Sequence, residues 1–249
     1  MKSLRQKKML DFIQVKGSVT VKELCALCPD VSLMTIHRDL DDLAKKGDIV
    51  RTHGGAIPVR FLTEPLYRER EKEDSSGKRT VAEKALPLIY PGSTVFIDAG
   101  TTTLELAKLL PDTDVNIITS SPVVAMELCS LKNPRITVCC GALNKRNLAL
   151  SGINTLDMLS TINIDIAFIG VSGVSAKAGL TCGNENEMLV KRTVIEKART
   201  SICLCTANKF ERLMPYTFAG IGDVSYIISD KDFPDDVKAL AADTHVILL

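Results

Sequence analysis

The feature that most constrains the fold is a regular alternation of short apolar runs and helical patterns between residues 93 and 249. The apolar runs have the length of buried strands, and the segments between them repeat apolar residues at helical spacing. Strand and helix in strict alternation predict an α/β domain built on a mainly parallel sheet, with helices on both faces. The predicted strands are 93–98, 115–119, 136–140, 164–171, 201–205, 225–228 and 245–249, and the predicted helices are 103–110, 122–131, 154–161, 185–198 and 235–242.

The first 60 residues follow another pattern, that of three short helices. Apolar residues at helical spacing predict a helix over 3–16. Thr20 and Glu23 have the spacing of a capping box, in which each side chain satisfies a free backbone N–H of the first turn, so a second helix begins there. Ser32 is a suitable N-cap for a third helix that ends at Gly47.

The third helix is amphipathic. Ile36, Leu40 and Leu43 lie at i, i+4 and i+7 and form one apolar stripe. Two short helices joined by a tight turn, the second with a polar outer face, are typical of a helix-turn-helix. The strand pattern at 49–52 and the turn back at 53–57 add a small β-wing. The outer face of the third helix carries Met34, Thr35, His37, Arg38 and Asp41.

The segment from 61 to 90 is dense in charge at first and then amphipathic from about residue 76. We interpret it as a solvated linker that leads into a surface helix. The predicted domains are a winged helix-turn-helix over 1–57, a linker over 58–75 and an effector-binding domain over 76–249.

Positive charge is concentrated near the N-terminal end. Residues 1–60 contain 11 Lys/Arg against 7 Asp/Glu, whereas residues 91–249 contain 14 against 17. A polyanionic partner would therefore bind the first region. An excess of four charges is modest, so charge alone makes a nucleic acid only plausible.

The cysteines indicate no metal site. Cys25 and Cys28 form a C-x-x-C, but no second pair follows at zinc-ligand spacing, so we interpret them as a buried pair on one helix face. The other six are expected to be mostly core thiols in a reducing cytoplasm. No metal and no cofactor is predicted. Neither a signal-peptide core nor a run of about 18 apolar residues is present, so we predict a soluble cytoplasmic protein without a membrane partner.

Taken together, these motifs resemble a known family of regulators. The segment 4–57 resembles the helix-turn-helix of the DeoR family, and it matches at 31–32, 35–40 and the wing 51–56. The family usually has Arg where this chain has His37. The rest of the chain resembles the DeoR-family sensor domain, which is Rossmann-like and similar in fold to ribose-phosphate isomerases. The matching pieces are 98–103, 119–120, 140–141, 169–173, 179–181 and 208–210.

The resemblance implies a sequence-specific transcriptional repressor of a carbohydrate-metabolism operon. Its partners would be a double-stranded DNA operator and a phosphorylated sugar or polyol as effector, and it would act as a homo-oligomer, either a dimer or a tetramer. The chain departs from the family at three further places. The family often has Thr-Asn at Thr119-Ser120, Gly-Gly at Cys140-Gly141, and Asp where Thr206 stands.

The DNA-contacting residues are expected near the N-terminal end of the third helix, since side chains there reach base edges in a helix-turn-helix. Arg38 is the best candidate for a bidentate contact with guanine, and Thr35 could touch a phosphate or a thymine methyl. Lys2, Arg5, Lys7, Lys22, Arg51 and His53 are candidate phosphate contacts. The predicted DNA-binding set is Thr20, Ser32, Leu33, Met34, Thr35, His37, Arg38, Arg51 and His53.

The effector site is expected where two apolar strands end in small polar residues. In an open parallel sheet, ligands bind beyond the carboxyl ends of the strands, and a helix N-terminus there attracts phosphate. Asp98 would bind a sugar hydroxyl or cap the next helix; Lys209 would supply a cation, and Lys191 is a weaker candidate. The predicted set is Asp98, Gly100, Thr101, Thr102, Thr103, Thr119, Ser120, Gly141, Gly170, Ser172, Gly173, Lys191 and Lys209.

Two other functions remain open. One is a sugar-phosphate isomerase-like enzyme with a DNA-binding head, in which Asp98 would be the base; Thr206 and Ser172 stand where acidic groups would help. The other is a DNA-binding activator that needs no ligand. No catalytic residue is predicted.

Overall fold

The computed structural model describes residues 2–16, 19–52, 54–58 and 65–249, so the predicted phosphate contact His53 lies outside the described residues. The chain divides into two compact units, Met1–Glu64 and Pro65–Leu249. Among the described helices, none combines the length and the hydropathy of a membrane-spanning segment.

The first unit is a winged helix-turn-helix. Its described strands form an antiparallel sheet in the order β1-β3-β2. Capping fixes where the helices begin: Thr20 and Glu23 form the expected capping box, and the Ser32 hydroxyl accepts a hydrogen bond from the Thr35 amide at 3.3 Å. The elements are α1 (Lys2–Lys16), β1 (Val19–Thr20), α2 (Val21–Leu27), α3 (Leu33–Lys45), β2 (Ile49–Thr52) and β3 (Gly55–Pro58).

The core of this unit fixes which face of α3 is exposed. Ile36, Leu40 and Leu43 are buried, as the stripe predicts, and they pack in one cluster with Met9 and Leu24 from the other two helices. Burying three large aliphatic side chains contributes about 1.5–3 kcal/mol each. The opposite face of α3 is therefore left to solvent.

The second unit is built on a parallel sheet of seven strands within residues 65–249, in the order β15-β14-β12-β9-β4-β5-β6. Every apolar run expected as a strand contributes to this sheet. Its strands are β4 (Thr94–Ile97), β5 (Asn116–Thr119), β6 (Arg135–Val138), β9 (Ile164–Gly170), β12 (Ala198–Cys205), β14 (Tyr226–Ser229) and β15 (Ile247–Leu248).

Helices cover both faces of the sheet. Along β4 the side chains alternate: Val95 and Ile97 pack in one hydrophobic cluster, and Phe96 packs in the other. The first cluster includes residues from α5, α6 and α7, and the second includes residues from α8, α9 and α10. These helices are α5 (Ser75–Ala85), α6 (Thr101–Leu109), α7 (Pro122–Leu128), α8 (Ile153–Ser160), α9 (Glu185–Lys197) and α10 (Asp235–Thr244).

Two antiparallel additions lie outside the predicted alternation. One is the hairpin of β7 (Ala142–Asn144) with β8 (Ala149–Ser151), and the other is a three-stranded sheet of β10 (Gly173–Ser175), β11 (Gly179–Cys182) and β13 (Tyr216–Ala219). Each of these strands follows the preceding strand without an α-helix between the two, so the alternation of strand and helix did not reveal it.

The interpretation of 58–75 as a solvated linker does not describe its second half. Residues Tyr67–Lys72 form helix α4, and the Tyr67 ring is buried in the cluster of α5 and α6. The tyrosine supplies enough apolar surface to hold this charged helix on the domain, and burial raises the pKa of its hydroxyl. A second difference from the sequence-based expectation concerns the cysteines. Cys129 and Cys140 were expected among the core thiols, but both are exposed.

Candidate functional site

The outer face of α3 presents the residues expected to read DNA. Leu33 and Met34 are large apolar side chains that remain 55% and 65% exposed. Arg38 is exposed one turn further along, and it makes no hydrogen bond or ion pair with any described residue. An exposed guanidinium whose donors bind no described residue is suited to a bidentate contact with guanine. Thr35, in contrast, is engaged with Ser32 through the cap and through a hydroxyl contact of 3.0 Å.

Three of the expected phosphate contacts bind carboxylates of their own unit. Arg5 donates to the buried Asp39 at 2.5 Å, and Gln6 donates to the other oxygen of this carboxylate at 3.0 Å, which ties α1 to α3. Lys2 pairs with Asp42 at 2.7 Å. The third is Arg51, whose side chain is 29% exposed and binds groups of α3.

Thr20 serves the fold rather than a partner, because its hydroxyl and amide complete the capping box with Glu23. Glu23 also pairs with Lys16. The Lys16 ammonium and the two Thr20 donors lower the pKa of the Glu23 carboxyl to about 2. Lys22 and Lys7 are exposed and remain available to phosphates.

In the second unit the sequence-predicted site lies at the point where the strand order reverses. The chain passes from β4 to β5 and β6 on one side of the sheet, and from β9 to β12 on the other. Loops leave β4 and β9 in opposite directions at this point, which opens a crevice at the carboxyl edge of the sheet. A cleft with about 460 Å³ of empty space, part of it open to solvent, lies there.

The cleft brings together seven of the predicted residues from four separate segments. The N-terminal turn of α6 contributes backbone N–H groups that have no partner within the helix, and the loop after β9 contributes small residues. The lining residues that were predicted are Gly100, Thr101, Thr102, Gly170, Ser172, Lys191 and Lys209.

The floor of the cleft is a buried ionic network. The Lys191 ammonium binds the Asp98 carboxylate, the Glu187 carboxylate at 3.1 Å and the Gly170 carbonyl at 2.8 Å. Asp98 also accepts a hydrogen bond from the Gly170 amide at 3.1 Å. The side chains of Lys191 and Asp98 are 2% and 3% exposed. Lys191 is therefore not a solvated helical lysine, and Asp98 is not the cap of α6, which is Gly100.

Electrostatics keep this lysine charged. Burial by itself lowers the pKa of Lys191, but the two carboxylates, Asp98 first, raise it above its ordinary value. The network has one cation for two carboxylates, so it presents fixed acceptors to the cleft rather than a free positive charge. Glu187 is further held by an amide hydrogen bond from Asn147 at 3.1 Å.

The predicted residues outside the cleft have structural contacts. Thr103 donates to the carbonyls of Asp98 and Gly100, and Thr119 donates to the Ile97 carbonyl at 2.6 Å. Ser120, directly after β5, is buried, and its hydroxyl makes no hydrogen bond with a described residue. At Gly141 and Gly173 a Cβ atom would approach backbone carbonyl oxygens to 2.6 and 2.1 Å, so close packing of the chain requires glycine there.

Sequence reasoning missed one wall of the cleft. Arg70 and Glu73, at the end of α4, and Lys78, on α5, line it together with Asn208. The Lys78 side chain is buried and donates to the backbone carbonyls of Arg70, Glu71 and Glu73. Desolvation lowers the pKa of this lysine. Nothing in the sequence indicated this wall, because a run of charged residues such as 67–73 is usually solvated.

No group of three or more His, Cys, Asp or Glu side chains in the described part of the chain has the geometry of a metal site.

Comparisons with known proteins agree with this geometry. The pattern of the DeoR-like helix-turn-helix domain matches residues 5–60, and that of the DeoR C-terminal sensor domain matches residues 73–231. The transcriptional regulator GlpR of Haloferax volcanii is 35% identical over 209 residues, which cover 83% of this chain and 82% of that protein. The glycerol-3-phosphate regulon repressor of Escherichia coli K12 is 31% identical over 246 residues, which cover 98% and 97%.

A solved D-ribose-5-phosphate isomerase in complex with phospho-erythronic acid is similar in fold to part of this chain. The TM-score is 0.40 at 20% identity, over 53% of this chain and 52% of the isomerase.

The first unit is a winged helix-turn-helix, and the outer face of its helix α3, here called the reading face, is exposed. It is joined in sequence to a parallel α/β unit with a cleft at the switch point of the sheet. These two features define a DNA-binding transcription regulator with a sensor domain. The chain belongs to the DeoR family of such regulators.

Proposed function

We propose that this protein represses a carbohydrate-metabolism operon and that a phosphorylated sugar or polyol bound in the cleft releases it from the operator. The observation that supports this most is the meeting of an anion-binding helix terminus with basic and hydroxyl side chains at one crevice. Thr101 and Thr102 begin α6, and Lys209 and the α4 residue Arg70 line the same cleft. Phosphate would bind the α6 amides, because these carry the positive end of the helix dipole.

Two other lining residues of the cleft suit the hydroxyl groups of the effector. Asn208 and the Glu187 carboxylate of the floor network also line the cleft, and both can bond to a sugar or polyol hydroxyl. The E. coli relative is named for a glycerol-3-phosphate regulon. We therefore place three-carbon polyol phosphates first among the candidates, followed by pentose and hexose phosphates.

Helix α4 is our candidate for the element that couples the effector to the DNA-binding head, which is the first unit (Met1–Glu64). It is the first helix after residue 65, and its carbonyls are held by the buried Lys78 ammonium, which also lines the cleft. A phosphate in the cleft would compete with these carbonyls for Lys78. The effector would then favour a position of α4 in which the head binds DNA less well, since a ligand shifts an equilibrium only by binding the two states differently.

The test is a binding experiment with the full chain. Thermal shift and calorimetry with glycerol 3-phosphate, ribose 5-phosphate and glucose 6-phosphate, each beside its dephosphorylated parent, would report binding and the need for phosphate. Bound effector should raise the melting temperature and weaken operator binding in a mobility-shift titration. Binding by none of the three, at millimolar concentration, would contradict the proposal.

Two matched variants locate the site. Thr101→Asp places a carboxylate at the N-terminus of α6, where it would occupy the amides and repel phosphate, so effector binding should be lost. Ser130→Asp adds the same charge on an exposed turn outside the cleft and should bind effector as the natural chain does. Equal effector binding by both variants would show that the effector does not bind at the N-terminus of α6.

The isomerase alternative is weakened by the position of its candidate base. Proton abstraction needs a carboxylate free to accept a proton within reach of substrate. Asp98 is instead bound to Lys191 and to the Gly170 amide beneath the cleft. Incubation of the full chain with ribose 5-phosphate should therefore produce no ribulose 5-phosphate.

A further inference from the structure

One guanidinium of the wing joins three groups of the recognition helix. Arg51, on β2, donates through Nη2 to Nδ1 of His37 at 2.9 Å. Through Nη1 it donates to the Asp41 carboxylate at 2.5 Å and to the His37 carbonyl at 3.3 Å. Arg51 thus contacts the reading face of α3 rather than pointing away from it.

The chemistry of arginine decides the tautomer of His37. A guanidinium has only donors, so the Nδ1 atom that faces it must be an acceptor with a free lone pair. The proton of a neutral imidazole then lies on Nε2. This Nε2 is not engaged with any described residue, and the His37 side chain is half-buried. The ring consequently presents a single, oriented N–H donor to its surroundings.

Asp41 gives Arg51 a second role. Its carboxylate lies on the same face of α3 as His37 and Arg38 and is 57% exposed. An unpaired carboxylate there would repel DNA phosphates and could itself accept the His37 proton. The guanidinium neutralises it and keeps it from the ring.

We infer that Arg51 is a positioning residue for sequence recognition and that His37 is a specificity-determining residue that reads a hydrogen-bond acceptor in the major groove. The preferred base is guanine or thymine, because these two bases show acceptors there without a donor beside them. Cytosine, which shows an amino donor, is disfavoured at this position. The inference rests on the proposed operator binding. Its first test therefore uses the free protein without DNA, so that a failure of the inference can be told from a failure of the proposed function.

The first test is the protonation pattern of His37 in the free protein. The chain has three histidines, so long-range ¹H–¹⁵N spectra of the full chain are simple, and His37→Gln identifies the signal. We expect an unprotonated Nδ1 and a protonated Nε2 at neutral pH, and a mixture of tautomers in Arg51→Met. A signal unchanged by Arg51→Met, or a proton on Nδ1 in the natural chain, would overturn the inference whatever the protein does with DNA.

The second test separates positioning from phosphate binding. Duplexes selected from a random-sequence library by the natural chain are titrated with Arg51→Met and with Lys22→Met, an exposed cation of the same unit. Arg51→Met should relax the preference at one base pair in each half-site by about tenfold, an effect that the loss of a phosphate contact would not produce. Lys22→Met should instead lower the slope of log K against log salt by about one, with every base preference intact.

The opposite pattern would refute the role. If Arg51→Met lowers the salt slope by about one and retains all base preferences, Arg51 is a phosphate contact and not a positioning residue. In a His37→Gln background the substitution of Arg51 should have no further effect on that base pair, since its effect passes through the ring.

Two controls guard against unfolding of the head. Arg51→Lys retains the charge but has no planar fork to bind His37 and Asp41 together, so it should relax the same base pair with little loss of stability. Asp41→Asn retains an acceptor for Arg51 and should preserve the base preference. A folded Arg51→Lys variant with full selectivity would contradict the inference.

Discussion

Each unit of this protein holds a buried aspartate against a cation from another element, but the two pairs lie in different places relative to the functional surface. In the head, Asp39 binds Arg5 and Gln6 on the inner side of α3, behind the reading face. In the sensor, Asp98 binds Lys191 at the floor of the cleft itself. In the head the buried pair thus lies apart from the residues expected to read DNA, whereas in the second unit it lies at the cleft proposed for the effector.

This contrast predicts that the largest loss of stability follows from breaking the sensor network. Lys191→Met leaves two buried carboxylates without their cation and should lower the free energy of unfolding by about 3–5 kcal/mol. Urea unfolding of the full chain, followed by a probe of the sensor domain, measures this. Adding Asp98→Asn should recover part of the loss; if the double variant is no more stable than Lys191→Met, the pair is not the cause.

The corresponding change in the head should be smaller. Asp39→Asn removes the carboxylate that Arg5 binds, but the Arg5 side chain is 20% exposed and can regain water. We expect a loss of about 1.5–3 kcal/mol in the unfolding of the head. A loss as large as that of Lys191→Met would show that the head depends on its ionic pair as much as the sensor does.

Arg38→Ala should sharpen the contrast, because it removes a residue expected to read DNA that pairs with no described residue. Operator affinity should fall by about 1–3 kcal/mol, while binding to random DNA changes much less. Stability should stay within about 0.5 kcal/mol of the natural chain. Mobility-shift titrations with both duplexes test this, and equal losses on the two would contradict a base contact.

The smallest expected effect is a pH dependence in the head. The folded pKa of Glu23, about 2, is below its usual value, so the charged carboxylate contributes stability above its ordinary pKa. That contribution is lost as the pH falls toward about 2. Glu23→Gln should therefore differ from the natural chain in urea unfolding at neutral pH and converge with it in acid. A constant difference across this range would show that the carboxylate's charge is not what stabilises the cap.

Much of the architecture could be predicted because it depends on local pattern. The stripe of Ile36, Leu40 and Leu43 and the caps at Thr20 and Ser32 define the head, and a period of apolar runs defines the parallel sheet. The antiparallel strands of the second unit could not be predicted, since each follows the preceding strand without an α-helix and so lies outside the alternation. Helix α4 was missed because one tyrosine, in a run of charges, decides its burial.

The sequence predicted the type and the place of the candidate site, but only some of the residues that line it. Small polar residues after β4 and β9 indicated a crevice, since the carboxyl ends of parallel strands share one edge. The sequence could not show that Lys191 is buried between two carboxylates, or that Lys78 and Arg70 reach the same cleft. Partners of a charged side chain that are distant in sequence leave no local pattern.

The sequence alone determined the helices of the head, the alternating strands and helices of the parallel sheet, and the family to which the protein belongs, because periodicity, capping and motif spacing are properties of neighbouring residues. Only the tertiary structure decided which charges are paired and which are exposed. The pairing of Asp98 with Lys191 spans 93 positions and that of Arg51 with His37 spans 14. The free energy of a charge depends on what surrounds it in space, and that is set when the whole chain has packed.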